Sequence, residues 1–226
     1  MDKQLRDEDA LPAFQTHLVS NQPPPFQADA LWEGDAALRE AVTREGAESF
    51  AGGLAVYAAL AGERLYALGF DANRDRPRLR THDAQGHRVD EVEFHPAYHA
   101  LMEAAIGHGV AGLSWQHREE RGAHVARAAL SYLHHQVEAG TSCPLTMTHA
   151  GVEVLQQAPG LAGWTRCAIS RHYDPRSVPM ADKRGITLGM GMTEKQGGSD
   201  VRSNATRAVP WGDSDGPKLS PVAAQG

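Results

Sequence analysis

The sequence has little cysteine, few aromatic residues and no excess of basic charge. Its two cysteines, Cys143 and Cys167, exclude a disulfide-rich scaffold and a four-cysteine zinc site, and neither lies in a recognisable nucleophile signature. Aromatic residues make up only 6% of the chain, which argues against a surface for stacking nucleic-acid bases. The chain carries 22 Lys and Arg against 28 Asp and Glu. Its net charge of −6 therefore supplies no overall positive electrostatic field that would attract nucleic acid.

The sequence also lacks segments that would place it in a membrane. No apolar stretch reaches the length of a bilayer span. Residues 1–9 carry charges of both signs without an apolar run, so they do not form a secretory signal. We therefore expect a cytoplasmic protein with no membrane partner. Its 226 residues, 41% of them hydrophobic, suffice for one core or two small ones.

Helix signals dominate the first three quarters of the chain. Asp35 is a typical N-cap, and Gly46 predicts the end of the helix that Asp35 begins. Pro96 predicts the first turn of another helix, whose apolar residues recur at helical spacing and which Gly107, Gly109 and Gly112 are expected to end. A third helix is predicted over residues 123–139, again by helical spacing of apolar side chains.

Two weaker signals complete the helical interpretation. A polar stretch contains Asp83-Ala84-Gln85-Gly86, which is typical of a turn. Pro144 predicts the start of a further helix that reaches toward Leu155. Up to Pro179 we therefore predict an all-α chain.

The chain divides into four predicted parts. Residues 1–34 form an N-terminal arm, and residues 35–179 form an α-helical domain. Residues 180–208 open a β-domain, because the β-branched and apolar residues from 186 to 192 predict a strand. Residues 209–226 have no periodicity and are rich in Pro, Gly, Ser and Asp, so we expect a disordered tail.

Three consecutive prolines, Pro23–Pro25, mark the N-terminal arm. They fix the backbone in an extended conformation and remove three hydrogen-bond donors. The segment is either a plain surface arm or a strap that packs against another subunit.

The twelve histidines do not suggest a metal site. His117 and His124 lack the spacing of a helical zinc pair, and His134 and His135 are adjacent, so they point to different faces. No His-Cys or Cys-Cys cluster is present. We expect no metal. Carboxylate pairs such as Glu119-Glu120 lie in charge-rich segments and are typical of solvated surfaces.

The glycine-rich stretch from residue 189 to residue 200 is the best candidate for binding chemistry. It is neither a dinucleotide fingerprint nor a P-loop. Gly189 and Gly191 remove Cβ atoms, so a planar ring could approach the backbone, and Thr193 adds a hydroxyl. Gly197-Gly198-Ser199 can form a concave row of N–H groups that suits a phosphate. The alternative is a glycine-rich turn without a ligand.

The sequence Met-Thr-Glu-Lys-Gln-Gly-Gly-Ser-Asp at 192–200 resembles a known signature. Acyl-CoA dehydrogenases contact their flavin through Thr-Glu-x-x-x-Gly-Ser-Asp, and the Lys-Gln-Gly-Gly form is similar to the AidB-like, adaptive-response branch of that family. Further segments similar to this branch are Thr16-His17, Asn21–Pro25, Glu40–Ala47, Phe94–Pro96, Gln136–Gly140, Cys143-Pro144, Tyr173-Asp174 and Lys183–Gly185.

The resemblance implies a fold and a cofactor site. The chain would consist of the N-terminal helical domain of the acyl-CoA dehydrogenase fold, the first strands of its middle β-domain and a disordered tail. Thr193 would hydrogen-bond the flavin, and Ser199 would reach the FAD pyrophosphate and the acyl-CoA substrate. The residues implied in FAD binding are Met190, Gly191, Met192, Thr193, Glu194, Lys195, Gln196, Gly197, Gly198 and Ser199.

The resemblance also implies an activity, namely FAD-dependent oxidation of a CH–CH group in an acyl-CoA. In that family a carboxylate base removes the α-proton while flavin N5 accepts the hydride. No catalytic residue can be assigned in this chain. The resemblance stops at about Ala208, so we expect a truncated and catalytically inactive piece of a homo-oligomeric flavoenzyme.

Two other hypotheses remain open. The first is a non-catalytic module that pairs with full-length subunits through Pro23–Pro25. The second is a DNA-associated protein of the alkylation response, which the resemblance favours. The net charge of −6 opposes it, so nucleic acid is not expected as a partner of this fragment.

Overall fold

The chain folds mainly into helices. The computed structural model describes residues 16, 20–24, 26, 28–211 and 218–222. The helices within these residues are α1 (Ala36–Arg44), α2 (Ala51–Leu60), α3 (Tyr66–Arg74), α4 (Pro96–His108), α5 (Leu113–Gln116), α6 (Ala123–His135), α7 (Ser142–Gln156) and α8 (Ala162–Ala168). None of the helices described is both long and apolar enough to cross a membrane.

Most predicted helix ends are confirmed by their local geometry. The Asp35 carboxylate accepts a hydrogen bond from the N–H of Leu38 at 2.8 Å, as an N-cap should. Helix α4 begins at Pro96 and stops at Gly109, whose φ of +89° is a left-handed conformation that favours glycine. Gly46 ends the α1 segment with a φ of +79° in the same way.

Helix α6 ends four residues earlier than predicted, at His135 rather than at residue 139. The physical reason is Glu138, whose carboxylate accepts hydrogen bonds from the backbone N–H groups of Gly140 and Thr141. It also accepts one from the Asn73 side chain of α3, at 3.1 Å. Glu138 therefore holds the start of α7 and cannot continue α6.

The core lies between four of the helices. Leu54 of α2, Leu101 of α4, Leu133 of α6 and Leu145 of α7 are each at most 1% exposed. Burial of such side chains contributes about 1.5–3 kcal/mol each, so this cluster supplies most of the stability. His134 is buried among them, which the sequence analysis did not predict.

The prediction of an all-α chain up to Pro179 was wrong at one place. Strands β1 (Arg78–His82) and β2 (Arg88–Glu93) pair antiparallel, with Leu79 opposite Val92. The predicted turn joins them, since the Asp83 carboxylate accepts the N–H groups of Gln85 and His87. The strands were missed because neither face is buried, so they show no apolar alternation.

The predicted strand over residues 186–192 is also corrected, because these residues form no strand pairing in the structure described. Strands β3 (Arg207–Trp211) and β4 (Lys218–Val222) pair with each other; β3 begins in the predicted β-domain, and β4 lies within residues 209–226. Their Val and Leu residues favour strands. The other residues from 209 to 226 lie outside those described.

The N-terminal arm contacts the helices of its own chain. The Phe26 ring lies 5.6 Å from the ring of Tyr66, at the start of α3. A Cβ on Gly62 would lie 1.8 Å from the carbonyl oxygen of Ala28, so the arm and this helical turn touch backbone to backbone. Pro25 lies outside the described residues, and pairing of the arm with another subunit stays a prediction.

Candidate functional site

Residues 186–192, which we call the extended segment, run beside helices α7 and α8. Three alternate N–H groups on this segment donate hydrogen bonds to the helices. These groups are Ile186 N–H to the Cys167 carbonyl (3.3 Å), Leu188 N–H to Thr148 Oγ1 (2.9 Å) and Met190 N–H to Met147 Sδ (3.3 Å). The helices therefore take the place of a neighbouring strand on one edge.

The opposite edge of the extended segment is open. The N–H groups of Thr187, Gly189 and Gly191 have no acceptor among the described residues. A Cβ built on Gly189 or on Gly191 would meet no heavy atom within 4 Å. The flanking Met190 and Met192 side chains are 47% and 55% exposed. The segment thus presents unpaired backbone donors next to free space that side chains do not fill.

Residues 193–206, which we call the Glu194 loop, follow directly. Glu194 organises the loop by accepting hydrogen bonds from the N–H groups of Ala205 and Thr206 (both 2.7 Å), the Thr206 hydroxyl and the Gln196 amide (2.8 Å). These donors lower the pKa of Glu194 to about 2. Glu194 is therefore ionised at neutral pH, and its carboxylate holds the start of the loop against Ala205 and Thr206 at its end.

The Glu194 loop begins with a tight turn that leads into Gly197-Gly198-Ser199, the residues predicted to bind phosphate. Glu194 and Gly197 exchange two backbone hydrogen bonds, of 3.0 and 3.1 Å, and close a tight turn. A Cβ on Gly198 would lie 2.8 Å from Cγ2 of Thr193, so these residues are packed together. The N–H groups of Gly198 and Ser199 have no acceptor within the described part of the chain. The loop therefore places free backbone donors beside the Thr193 hydroxyl.

Most of the predicted site residues are exposed and available. All residues from 190 to 199 are exposed except Glu194, which is half-buried. The side chain of Gln196 is occupied by Glu194, and that of Lys195 has no partner among the described residues. The glycines, Thr193 and Ser199 are thus all exposed, while Glu194 and Gln196 hold the loop.

Asp174 holds the residues that precede the extended segment, and the sequence analysis assigned it no role. Its carboxylate accepts hydrogen bonds from Arg176 Nε and Nη2, at 2.8 and 2.6 Å, and from the N–H of Arg184 at 3.1 Å. These donors hold its pKa well below the usual range. Lys183 Nζ donates to the Asp174 carbonyl at 2.7 Å. The sequence analysis noted Tyr173-Asp174 and Lys183–Gly185 only as separate short segments. In the fold, the hydrogen bonds of Asp174 with Lys183 and Arg184 join the two segments.

The other candidate residues do not assemble into a centre. Within the described residues, no three His, Cys, Asp or Glu side chains are placed to hold a metal ion. Cys143 is exposed, and Cys167 is half-buried, with its thiol directed at the Lys183 carbonyl at 3.5 Å. The open surface of residues 187–199 is therefore the best candidate site.

Comparison with known families shows which protein family this chain belongs to. Residues 21–175 match the family described as the adaptive response protein AidB N-terminal domain. The chain belongs to the AidB N-terminal domain family. This confirms the resemblance predicted from the short segments, and the AidB assignment covers the helical domain on which the candidate site rests.

Two curated relatives extend this family assignment. AidB of Escherichia coli strain K12, whose name assigns it provisionally to the acyl-CoA dehydrogenases, is 49% identical over 203 residues, 86% of this chain and 37% of its own length. Acyl-CoA dehydrogenase family member 11 of Caenorhabditis elegans is 30% identical over 140 residues, 59% of this chain and 21% of its own length. The chain spans little more than a third of AidB.

Two solved structures share the fold. Bd2924 in its apo form has a TM-score of 0.71 at 24% identity, over 88% of this chain and 39% of its own. ACDH-11 of Caenorhabditis elegans, in complex with C11-CoA, has the same TM-score and identity, over 97% of this chain and 37% of its own. The predicted fold, the N-terminal helical part of an acyl-CoA dehydrogenase, is confirmed.

Proposed function

We propose that residues 190–199 form one wall of an FAD site in an oxidoreductase that acts on the CH–CH bond of an acyl-CoA. The observation that carries the proposal is the open edge of the extended segment. Unpaired N–H groups at Gly189 and Gly191 lie beside space that a Cβ would fill. A flat ring with polar atoms along one edge is the kind of group that this surface fits.

The donors present suit the two parts of FAD. Backbone N–H groups of the extended segment and the Thr193 hydroxyl would hold the polar edge of the isoalloxazine. The N–H groups of Gly198 and Ser199, with the Ser199 hydroxyl, would hold the pyrophosphate, as successive backbone donors hold other phosphates. FAD, when bound, supplies the hydride acceptor, and the protein supplies binding and orientation.

We propose that residues 190–199 do not supply the base that removes the α-proton. Glu194 is the carboxylate within the wall, and its oxygens are occupied by donors from Gln196, Ala205 and Thr206. A pKa of about 2 makes it a poor proton acceptor at neutral pH. We therefore propose that the base comes from outside the described residues, and that a second surface must cover the wall before catalysis can occur.

The relatives support the substrate class. AidB and the Caenorhabditis elegans relative carry acyl-CoA dehydrogenase names, and ACDH-11 binds C11-CoA. An acyl-CoA is accordingly the proposed substrate, and Ser199 at the end of the wall is the residue proposed to reach it. Assembly with like chains and a cytoplasmic location stay predictions of the family resemblance.

Titration of FAD into the full chain, followed by flavin fluorescence anisotropy, tests the proposal. Gly191→Val should raise the Kd for FAD at least tenfold, because its side chain fills the space that the ring needs. Thr193→Val should raise it about fivefold, which corresponds to the loss of one hydrogen bond of about 1 kcal/mol. Thr43→Val, on an exposed face of α1, is the matched control. Equal affinity in all four proteins would refute the assigned wall.

A further inference from the structure

A separate cleft, with a volume of about 250 Å³, lies where α2, α4, α5 and α6 meet. None of its lining residues belongs to the extended segment or to the Glu194 loop. Its chemistry is therefore independent of the flavin wall. We call it the α-domain cleft.

The floor of the α-domain cleft is apolar. Leu54, Leu113 and Leu130 line it, and they are 1%, 7% and 2% exposed. Phe50 closes one side, with its ring 5.6 Å from that of His117 in an edge-on contact. A small apolar group placed here would lose contact with water over most of its surface, which favours binding.

The rim of the cleft carries two histidines. His108 Nδ1 lies 2.9 Å from the Ala104 carbonyl and so donates its proton there, which directs Nε2 away from the helix. His117 Nδ1 lies 2.6 Å from a Glu120 carboxylate oxygen and so donates its proton there. In the tautomer that each of these bonds sets, Nε2 is a hydrogen-bond acceptor. The donor for an anionic ligand therefore has to come from another side chain of the rim.

Arg171 adds a permanent positive charge at the same rim. Its Nε donates to Gln116 Oε1 at 2.9 Å, and its terminal nitrogens have no partner among the described residues. Glu120, the nearby carboxylate, is already bonded to His117. A planar guanidinium with free terminal N–H groups is well suited to a carboxylate.

We propose that the α-domain cleft binds a small monocarboxylate with a short alkyl chain. The carboxylate lies at Arg171, and the alkyl chain lies over Leu54, Leu113 and Leu130. A bare phosphate would leave the apolar floor unused, and an alcohol would leave the cationic rim unpaired. The cleft therefore selects a molecule that carries both parts.

Isothermal titration calorimetry of the full chain with butyrate and hexanoate tests the proposal. Hexanoate should bind with one site per chain and more tightly than butyrate, by about fourfold for each added CH₂ group. Inorganic phosphate and 1-hexanol, which each carry one half of the chemistry, should bind at least tenfold more weakly than hexanoate. No binding of hexanoate, or phosphate bound as tightly as hexanoate, would overturn the proposal.

Variants locate the site. Arg171→Gln should raise the Kd for hexanoate about tenfold or more, because a hydrogen bond to a charged group is lost. Arg118→Gln is the matched control, since this exposed arginine bonds Glu119 and does not line the cleft. The side-chain nitrogen resonances of His108 and His117 should shift on binding. An unchanged affinity in Arg171→Gln would contradict the assignment, whereas FAD affinity should be the same in both variants.

Discussion

His134 shows how much a single side chain can matter in this protein. It is completely buried in α6, with Nδ1 2.7 Å from the Tyr57 hydroxyl and Nε2 2.8 Å from Thr141 Oγ1. Burial lowers its pKa to about 4, because a charged imidazole would lose its water without gaining a counter-ion in direct contact. The neutral ring therefore links α2, α6 and the start of α7.

The first prediction concerns acid stability. A folded pKa of about 4 lies below the ordinary 6.5, so stability from His134 is complete above pH 6.5 and is lost as the pH falls toward 4. The loss should reach about 3 kcal/mol. Urea unfolding between pH 7 and 4.5 measures it. His134→Gln should flatten this pH dependence. His135→Gln, which changes an exposed neighbour, should leave it unchanged. An identical pH dependence in the unmodified chain and both variants would disprove the role of His134.

The second prediction concerns Glu194. Glu194→Gln keeps the shape of the side chain but removes the charge and one acceptor, so the Glu194 loop should loosen. Hydrogen exchange at the N–H groups of Ala205 and Thr206, which now donate to Glu194, should accelerate at least tenfold. Glu153→Gln on the exposed face of α7 should leave these rates unchanged. Unchanged protection in Glu194→Gln would mean that the loop is held by other contacts.

At the scale of elements, the extended segment shows why a strand pattern did not yield a strand. The β-branched and apolar residues from 186 to 192 predicted a strand, and the N–H groups of Ile186, Leu188 and Met190 do bond to the same pair of helices. A strand also needs a partner, and here the partners are Thr148 and Met147 of α7 together with the end of α8. Which element lies opposite is a tertiary fact that local sequence does not contain.

The contact between the arm and the helices is also an element-scale feature. The helix from α2 to α3 passes through a π-helical turn at Ala61–Leu65, and Gly62 in this turn lies against the backbone of Ala28. A backbone approach this close needs a residue without a side chain. We infer that Gly62, by lacking a side chain, allows the N-terminal arm to pack against this helical turn.

The third prediction compares two helical glycines. Gly62→Ala should destabilise the chain by about 1–3 kcal/mol, because its Cβ would overlap the Ala28 carbonyl. Gly52→Ala, in α2 with open space around it, should stabilise the chain by about 0.5–1 kcal/mol through helix propensity. Urea unfolding of both variants measures the contrast. A stabilising Gly62→Ala would show that the arm does not pack there.

At the scale of the whole molecule, the helices around Leu101 and Leu133 act as one core. The fourth prediction is that Leu101→Ala lowers the free energy of unfolding by about 2–5 kcal/mol, because it leaves a cavity at a site with no exposure. Leu79→Ala in the β1–β2 hairpin, where the side chain is 64% exposed, should change it by less than about 0.5 kcal/mol. Thermal or urea unfolding compares the two. Similar losses would contradict a core centred on the helices.

The helical part of the fold was predictable because local signals determine it. Asp35, Pro96 and Gly109 set helix ends by their own chemistry, and the spacing in α4 identified Leu101 as buried. The hairpin was missed because its strands bury no face. In the candidate site, Gly189 and Gly191 do border open space. The bonds of Glu194 with Thr206 and of Asp174 with Arg184 close irregular loops of 12 and 10 residues, which no helical or strand periodicity reveals.

The central claim is that the open edge of the extended segment receives the flavin. Nitrogen-15 chemical-shift mapping with excess FAD tests it most directly, even if binding to the isolated chain is weak. We expect the N–H resonances of Thr187, Gly189 and Gly191 and of residues 193–199 to shift, and those of the inward Ile186 and Leu188 to shift far less. Shifts confined to other regions, or equal shifts on both edges of the segment, would contradict the account.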